Sequence, residues 1–178
     1  MRNLCKIFIL CLCLLISISC GGGKKKKKVH IPYVNYSTEV VSDFGTINVP
    51  YKLEGGVKYV SVKINGLSTD MIFDTGCSMT LISMLEAQQL IKRGLLSEDD
   101  FLGTAQASIA DGSVVEDAIF NIKTLELTDG SQTIVCHDVL TQVSSNAEAP
   151  VLLGNGVLDR VASYTIDNEQ KVIRFKLK

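Results

Sequence analysis

The sequence predicts a mostly β chain: a small single-lobe barrel with one or two short helices. Three observations predict it. Short apolar and β-branched runs recur at regular spacing along residues 46–178. Turn pairs such as Asn65-Gly66, Asp111-Gly112, Asp129-Gly130 and Asp167-Asn168 separate them. One stretch, Ser83 to Arg93, combines a helical cap with an apolar side. At 178 residues, one domain is the default.

In chain order, residues 29–54 show no clear period and read as linker giving way to a strand near the end of the stretch. A strand is expected over 46–53, broken by Gly55-Gly56. Residues 57–64 alternate, with Val60, Val62 and Ile64 on one face. Asn65-Gly66 predicts a type I′ hairpin, because both central positions need positive φ. Leu67 to Phe73 is the returning strand and ends on Asp74-Thr75-Gly76. Thr80-Leu81-Ile82 is strand-like. Ser83 and Glu86 form a capping box, Leu85, Leu90 and Ile91 give the helix its apolar side, and Gly94 stops it. Residues 95–102 read as loop. Strands over 104–109 and 113–122 flank Ala110-Asp111-Gly112, and the β pattern continues through Leu125, Leu127 and 133–143. After a loop at 144–150, Val151-Leu152-Leu153 is a short apolar strand stopped by Gly154. A helical turn is expected at 157–161 and a closing hairpin at 164–166 and 172–177.

The first 45 residues read differently. A short basic start is followed by an apolar run from Ile7 to Ser19, too short to span a bilayer and suited to an export signal over 1–19. Ser17-Ile18-Ser19-Cys20 resembles a bacterial lipobox, with Ser17 where Leu is usual. Cys20 is therefore the expected lipidation site; a plain signal peptide cut nearby is the alternative. The glycines after Cys20 suit a flexible leash. Lys24 to Lys28 is either a solvated tether or a block attracted to anionic headgroups. Residues 20–45 are thus expected to be a membrane-anchored tether and linker, and the exported protein to lie at a bacterial cell envelope, periplasmic or associated with the outer membrane.

Residues 29–178 carry 11 Lys and Arg against 19 Asp and Glu, a net charge of −8. That acidity excludes nucleic acid as an expected partner. Without the signal and Cys20, only Cys77 and Cys136 remain, expected to stay unpaired. With His30 and His137 they give no metal-ligand spacing, so neither metal nor cofactor is expected.

Asp74-Thr75-Gly76 is open to two readings. Asp and Gly end strands everywhere; the same triplet supplies a carboxylate at the mouth of a strand. With its surroundings it gains specificity. "MIFDTGCSMTLIS" (71–83), "ASIADGSVVE" (107–116) and "VLLGNGVLDR" (151–160) in this order resemble the retropepsin-like aspartic proteases, most closely bacterial envelope members with a lipoprotein signal. The resemblance spans residues 46–178. It implies that Asp74 is the catalytic acid, that Thr75 holds the opposite loop, that the Gly76 N–H reaches a carboxylate oxygen, and that the Ser78 hydroxyl bonds the outer oxygen of Asp74. It implies that Ala110, Asp111 and Gly112 form a flap over a peptide or protein substrate, against the plainer reading of a surface hairpin. Position 77, usually Ala, is Cys. An acid–Arg pair of the viral enzymes is replaced by Ser78 and Asn155.

No second Asp-[Thr/Ser]-Gly exists. Hydrolysis of an amide by activated water needs two carboxylates in different protonation states. The resemblance therefore implies a homodimer with one Asp74 from each chain on the two-fold axis, acting as an aspartic endopeptidase. The alternatives are a catalytically inactive peptide-binding module of the same fold, a cysteine hydrolase using Cys77 and His137, and a structural lipoprotein in which Asp74 only ends a strand.

Overall fold

The computed structural model describes residues 38–41, 45–108 and 112–178. The expected export signal, Cys20, the lysine block, Ala110 and Asp111 lie outside the described residues. Within them the chain is mostly β. Strands β1 (Thr38–Val41), β2 (Thr46–Glu54), β3 (Val57–Ile64), β4 (Leu67–Phe73) and β5 (Thr80–Ile82) precede helix α1 (Met84–Lys92). Then come a 3-10 turn (Glu98–Asp100), β6 (Phe101–Ser108), β7 (Val114–Thr128), β8 (Thr133–Val143), β9 (Leu152–Leu153), helix α2 (Asn155–Leu158), β10 (Ser163–Asp167) and β11 (Val172–Lys176).

The strand pairings return on themselves. β3 pairs with β4, β4 with β9, β9 with β5, β5 with β8, β8 with β7, and β7 again with β3 through Ile64 opposite Leu125. β2, β11 and β10 extend from this ring as successive antiparallel neighbours. Alternation explains which faces turn inward: Ile47, Val49 and Tyr51 from β2 and Val60, Val62 and Ile64 from β3 are all buried. Phe175, Met71, Ile82, Leu90, Leu125 and Ile134 complete the same core.

The hairpin between β3 and β4 has positive φ at Asn65 (47°) and Gly66 (85°). Asn65 also braces the barrel. Its amide donates to the Leu95 carbonyl at 2.7 Å, and its side-chain oxygen accepts the Thr124 N–H at 2.9 Å. Ser83 caps α1 by accepting the Leu85 N–H at 3.0 Å, while Glu86 accepts the Ser83 N–H at 3.2 Å. Beyond the helix, Gly94 at φ 71° lets the Leu95 N–H close onto the Leu90 carbonyl at 2.9 Å.

Five local expectations are revised. Thr38–Val41, within the stretch read as linker, pairs with residues 133–136 of β8. The loop at 95–102 contains the 3-10 turn and the start of β6. The strands separated at 122 and 125 are one 15-residue strand, β7. Its buried face switches along its length, as Ile122 and Leu125, three residues apart, are both buried; that phase change reads in sequence as a break. Leu85, assigned to the inner side of α1, is 50% exposed, and Ala87 and Leu90 are the buried pair. Finally, α2 begins at Asn155, two residues before the expected turn.

Candidate active site

The site is built where β9 is threaded between β4 and β5. Ile72 and Phe73 lie parallel to Leu152 and Leu153, and Leu81 pairs with Leu152 from the other side. The Ile72 N–H donates to the Val151 carbonyl at 2.8 Å and the Asp74 N–H to the Leu153 carbonyl at 3.1 Å. The chain from Asp74 to Met79 must therefore pass over the end of β9. Phe73 anchors the near side, with its ring 5.2 Å from Tyr164, edge-on, and 6.4 Å from Phe175.

Gly154 makes the crossing possible. A Cβ there would lie 2.1 Å from the Met79 carbonyl oxygen and 2.7 Å from that of Cys77. Its φ of −98° is open to any residue, so the requirement is space.

Asp74 is half-buried at the head of this loop. Its Oδ1 accepts the Gly76 N–H at 2.8 Å, and its carbonyl accepts the Cys77 N–H at 3.4 Å. A Cβ on Gly76 would sit 3.2 Å from that same Oδ1, so glycine brings the donor close without crowding the carboxylate. From the far side of the loop, the Asn155 N–H donates to the Cys77 carbonyl at 2.8 Å and its side-chain Nδ2 to the Thr75 carbonyl at 3.0 Å. Thr75 and Ser78 are exposed. Among the described residues no hydrogen bond joins the Ser78 hydroxyl to Asp74, and none is made by the Thr75 side chain.

Cys77 and Cys136, the two cysteines among the described residues, are free. The Cys77 thiol donates to the Met79 carbonyl at 2.9 Å. Burial pushes this thiol above its ordinary value, and the neighbouring Asp74 carboxylate pushes it in the same direction. That is the reverse of what a thiolate nucleophile needs. Cys136 is fully buried on β8 and is pushed up to about 11 by burial, with Arg160 opposing the shift.

Of the expected flap, Gly112 is described, with φ 83°. Beside it Val114 is 61% exposed. A groove lined by Pro50, Lys63, Glu126 and Asp129 contains no residue of the acid loop or of the hairpin tip. No cluster of three or more His, Cys, Asp or Glu side chains is placed to hold a metal ion among the described residues.

Two contributors carried no strong sequence signal. Arg160 is buried and donates through Nε to the Gly156 carbonyl at 3.0 Å, through one terminal nitrogen to the Asp138 carbonyl at 3.0 Å, and through the other to that of His137. It ties α2 to β8. Asn155 was visible only as a replacement next to Gly154; its contact with Thr75 depends on the crossing of two segments 80 residues apart.

A family model described as "gag-polyprotein putative aspartyl protease" matches residues 60–160, more than half of the chain. The chain belongs to the retropepsin-like aspartic protease family. No curated protein matches the sequence. Among solved structures, the chain is similar to a retropepsin-like aspartic protease from Rickettsia conorii, at 18% identity and a TM-score of 0.50, over 81% of this chain and 96% of that one. At this identity the likeness is one of fold. In the retropepsin-like frame, Asp74 falls inside the matched region, as do Gly112 and the Gly154–Asn155 crossing.

Proposed function

We propose that the protein is an aspartic endopeptidase that works as a homodimer, with water activated between the two Asp74 carboxylates. The observation that carries this reading is the acid loop. A half-buried Asp74, with one carboxylate oxygen fixed by the Gly76 N–H at 2.8 Å, stands at the end of a strand wedged against β9. Each lobe supplies one such acid, and the chemistry requires two in different protonation states. Closed two-fold symmetry brings them together. One carboxylate accepts a proton from water while the other donates to the scissile carbonyl. Peptide is held as an added strand against the β6–β7 hairpin, whose tip, with Ala110, Asp111 and Gly112, serves as the flap. Thr75, exposed beside the acid, is suited to bond the partner lobe.

The same reading places the protein on a membrane through a lipid on Cys20, supported by the apolar run 7–19 and the small residues before Cys20. Detergent phase partitioning tests the anchor: Cys20→Ala should move the protein into the aqueous phase, and an unchanged distribution would remove that part of the reading.

The central test is cleavage of a peptide library by the purified protein. Asp74→Asn should lower the rate by about 10⁴-fold while keeping the fold, because an amide cannot take up the proton. Specific activity should fall on dilution, and excess Asp74→Asn protein should poison the wild type. Activity that ignores both dilution and the mutant chain would exclude the shared site. An inactive peptide-binding module would instead bind library members without cutting them.

A further inference from the structure

We infer that Asn155 is a positioning residue for the catalytic acid, and that it presets the acid loop within a single chain; this rests on the protease reading of Asp74. The loop from Asp74 to Cys77 is a tight turn with two outward carbonyls, at Thr75 and Cys77, on either side of Gly76. Asn155 donates to both, with its side-chain Nδ2 to the first at 3.0 Å and its backbone N–H to the second at 2.8 Å. Pinning these two carbonyls fixes the peptide planes between them. One of those planes carries the Gly76 N–H, which holds Asp74 Oδ1 at 2.8 Å. The orientation of the carboxylate thus follows from Asn155 through the Thr75–Gly76 peptide unit, which carries both the bonded carbonyl and the donating N–H.

Asn155 is itself rigidly held. Gly154 precedes it, packed so closely under Met79 and Cys77 that no Cβ fits. Behind it, α2 is fastened by the buried Arg160 to carbonyls of Gly156 and of β8 residues His137 and Asp138. The bridge is neutral and internal to one chain, so neither assembly nor the ionisation of another residue is needed to form it. A misplacement on the order of 1 Å at a reacting group costs about a hundredfold in rate, so a donor that sets the loop is worth more to the reaction than to stability.

The experiment compares wild type, Asn155→Ala and Asn155→Asp in the full-length protein. Alanine removes the amide donor; aspartate keeps its shape but offers no N–H to the Thr75 carbonyl. Both keep the backbone N–H to Cys77. Both variants should lose kcat by about ten- to a hundredfold with KM within about twofold, while melting temperature stays close to wild type. Amide hydrogen exchange at Gly76 and Cys77 should accelerate at least about tenfold in both, with β8 amides unchanged. Unchanged exchange at Gly76 and Cys77, a retained kcat, or unfolding of both variants would overturn the positioning role. If wild type cleaves nothing, the protease reading fails on its own, and the exchange measurement still decides whether Asn155 sets the loop.

Discussion

Two glycine-bearing segments of this molecule obey opposite constraints. At Gly154, under the acid loop, φ is ordinary and space is absent: a Cβ would meet the Met79 carbonyl oxygen at 2.1 Å. At Gly112, beside the hairpin tip, space is open to 4 Å and φ is 83°, a conformation side chains resist. One glycine is required by packing, the other by a turn. The difference separates a loop tied down by close packing from a turn set by backbone conformation. The acid loop is held by Leu153, by Asn155 and by its own Gly76, whereas the hairpin projects Val114 into solvent. Under the proposed protease reading, the loop would hold the acid in place and the hairpin would cover substrate.

The largest effect comes from filling the packed crossing. Gly154→Ala puts a methyl group against two backbone carbonyls, which cannot rotate away. The loop or β9 must shift, at a cost of about 3 kcal/mol or more. Urea denaturation should show the loss, and activity should vanish with it. A variant of wild-type stability would mean that the crossing is looser than its distances imply.

The hairpin should break the other way. Gly112→Val should cut cleavage about tenfold or more with little change in melting temperature. The strain of a β-branched residue at positive φ is on the order of 1–2 kcal/mol, and open space around Gly112 leaves the core undisturbed. Equal losses of activity and stability would make the hairpin structural and erase the contrast with Gly154.

The contrast also explains what was legible in the sequence. The Asn65-Gly66 turn, the Ser83–Glu86 cap and the alternation of β3 are local rules, and each is seen in the fold; the alternation of β2 is seen only in its burial pattern. Asp74 and Gly154 could be singled out from short motifs. What could not be read is what long-range crossings create. Asn155 meets Thr75 across 80 residues, and Asn65 meets Thr124 across 59. The 3-10 turn was hidden for another reason: Ser97-Glu98-Asp99-Asp100 is as polar as any loop, yet Asp100 is only 6% exposed.

That buried Asp100 gives the smallest and most specific prediction, because it lies just before β6, at the root of the hairpin that carries Gly112. Its Oδ2 accepts the Ser97 N–H at 2.8 Å and the Ser97 hydroxyl at 2.9 Å, and Lys123 of β7 stands 3.4 Å from Oδ1. Burial alone would raise its pKa. The two bonds from Ser97 and the Lys123 charge outweigh burial and hold the carboxyl below its ordinary value. A carboxyl depressed by folding adds stability that is complete above the unfolded value of about 3.9 and is lost as pH falls through the lower folded value. Asp100→Asn should therefore cost about 1 kcal/mol near neutral pH, mostly through weakened Ser97 bonds, since the exposed Lys123 contributes little. The gap to wild type should narrow as pH falls below about 4, and cleavage per folded molecule should change less than in Gly112→Val. Denaturation midpoints of the two proteins from pH 7 to pH 3 check this. A gap that stays constant over that range would mean that Asp100 carries no depressed charge, and that the hairpin root is held by packing alone.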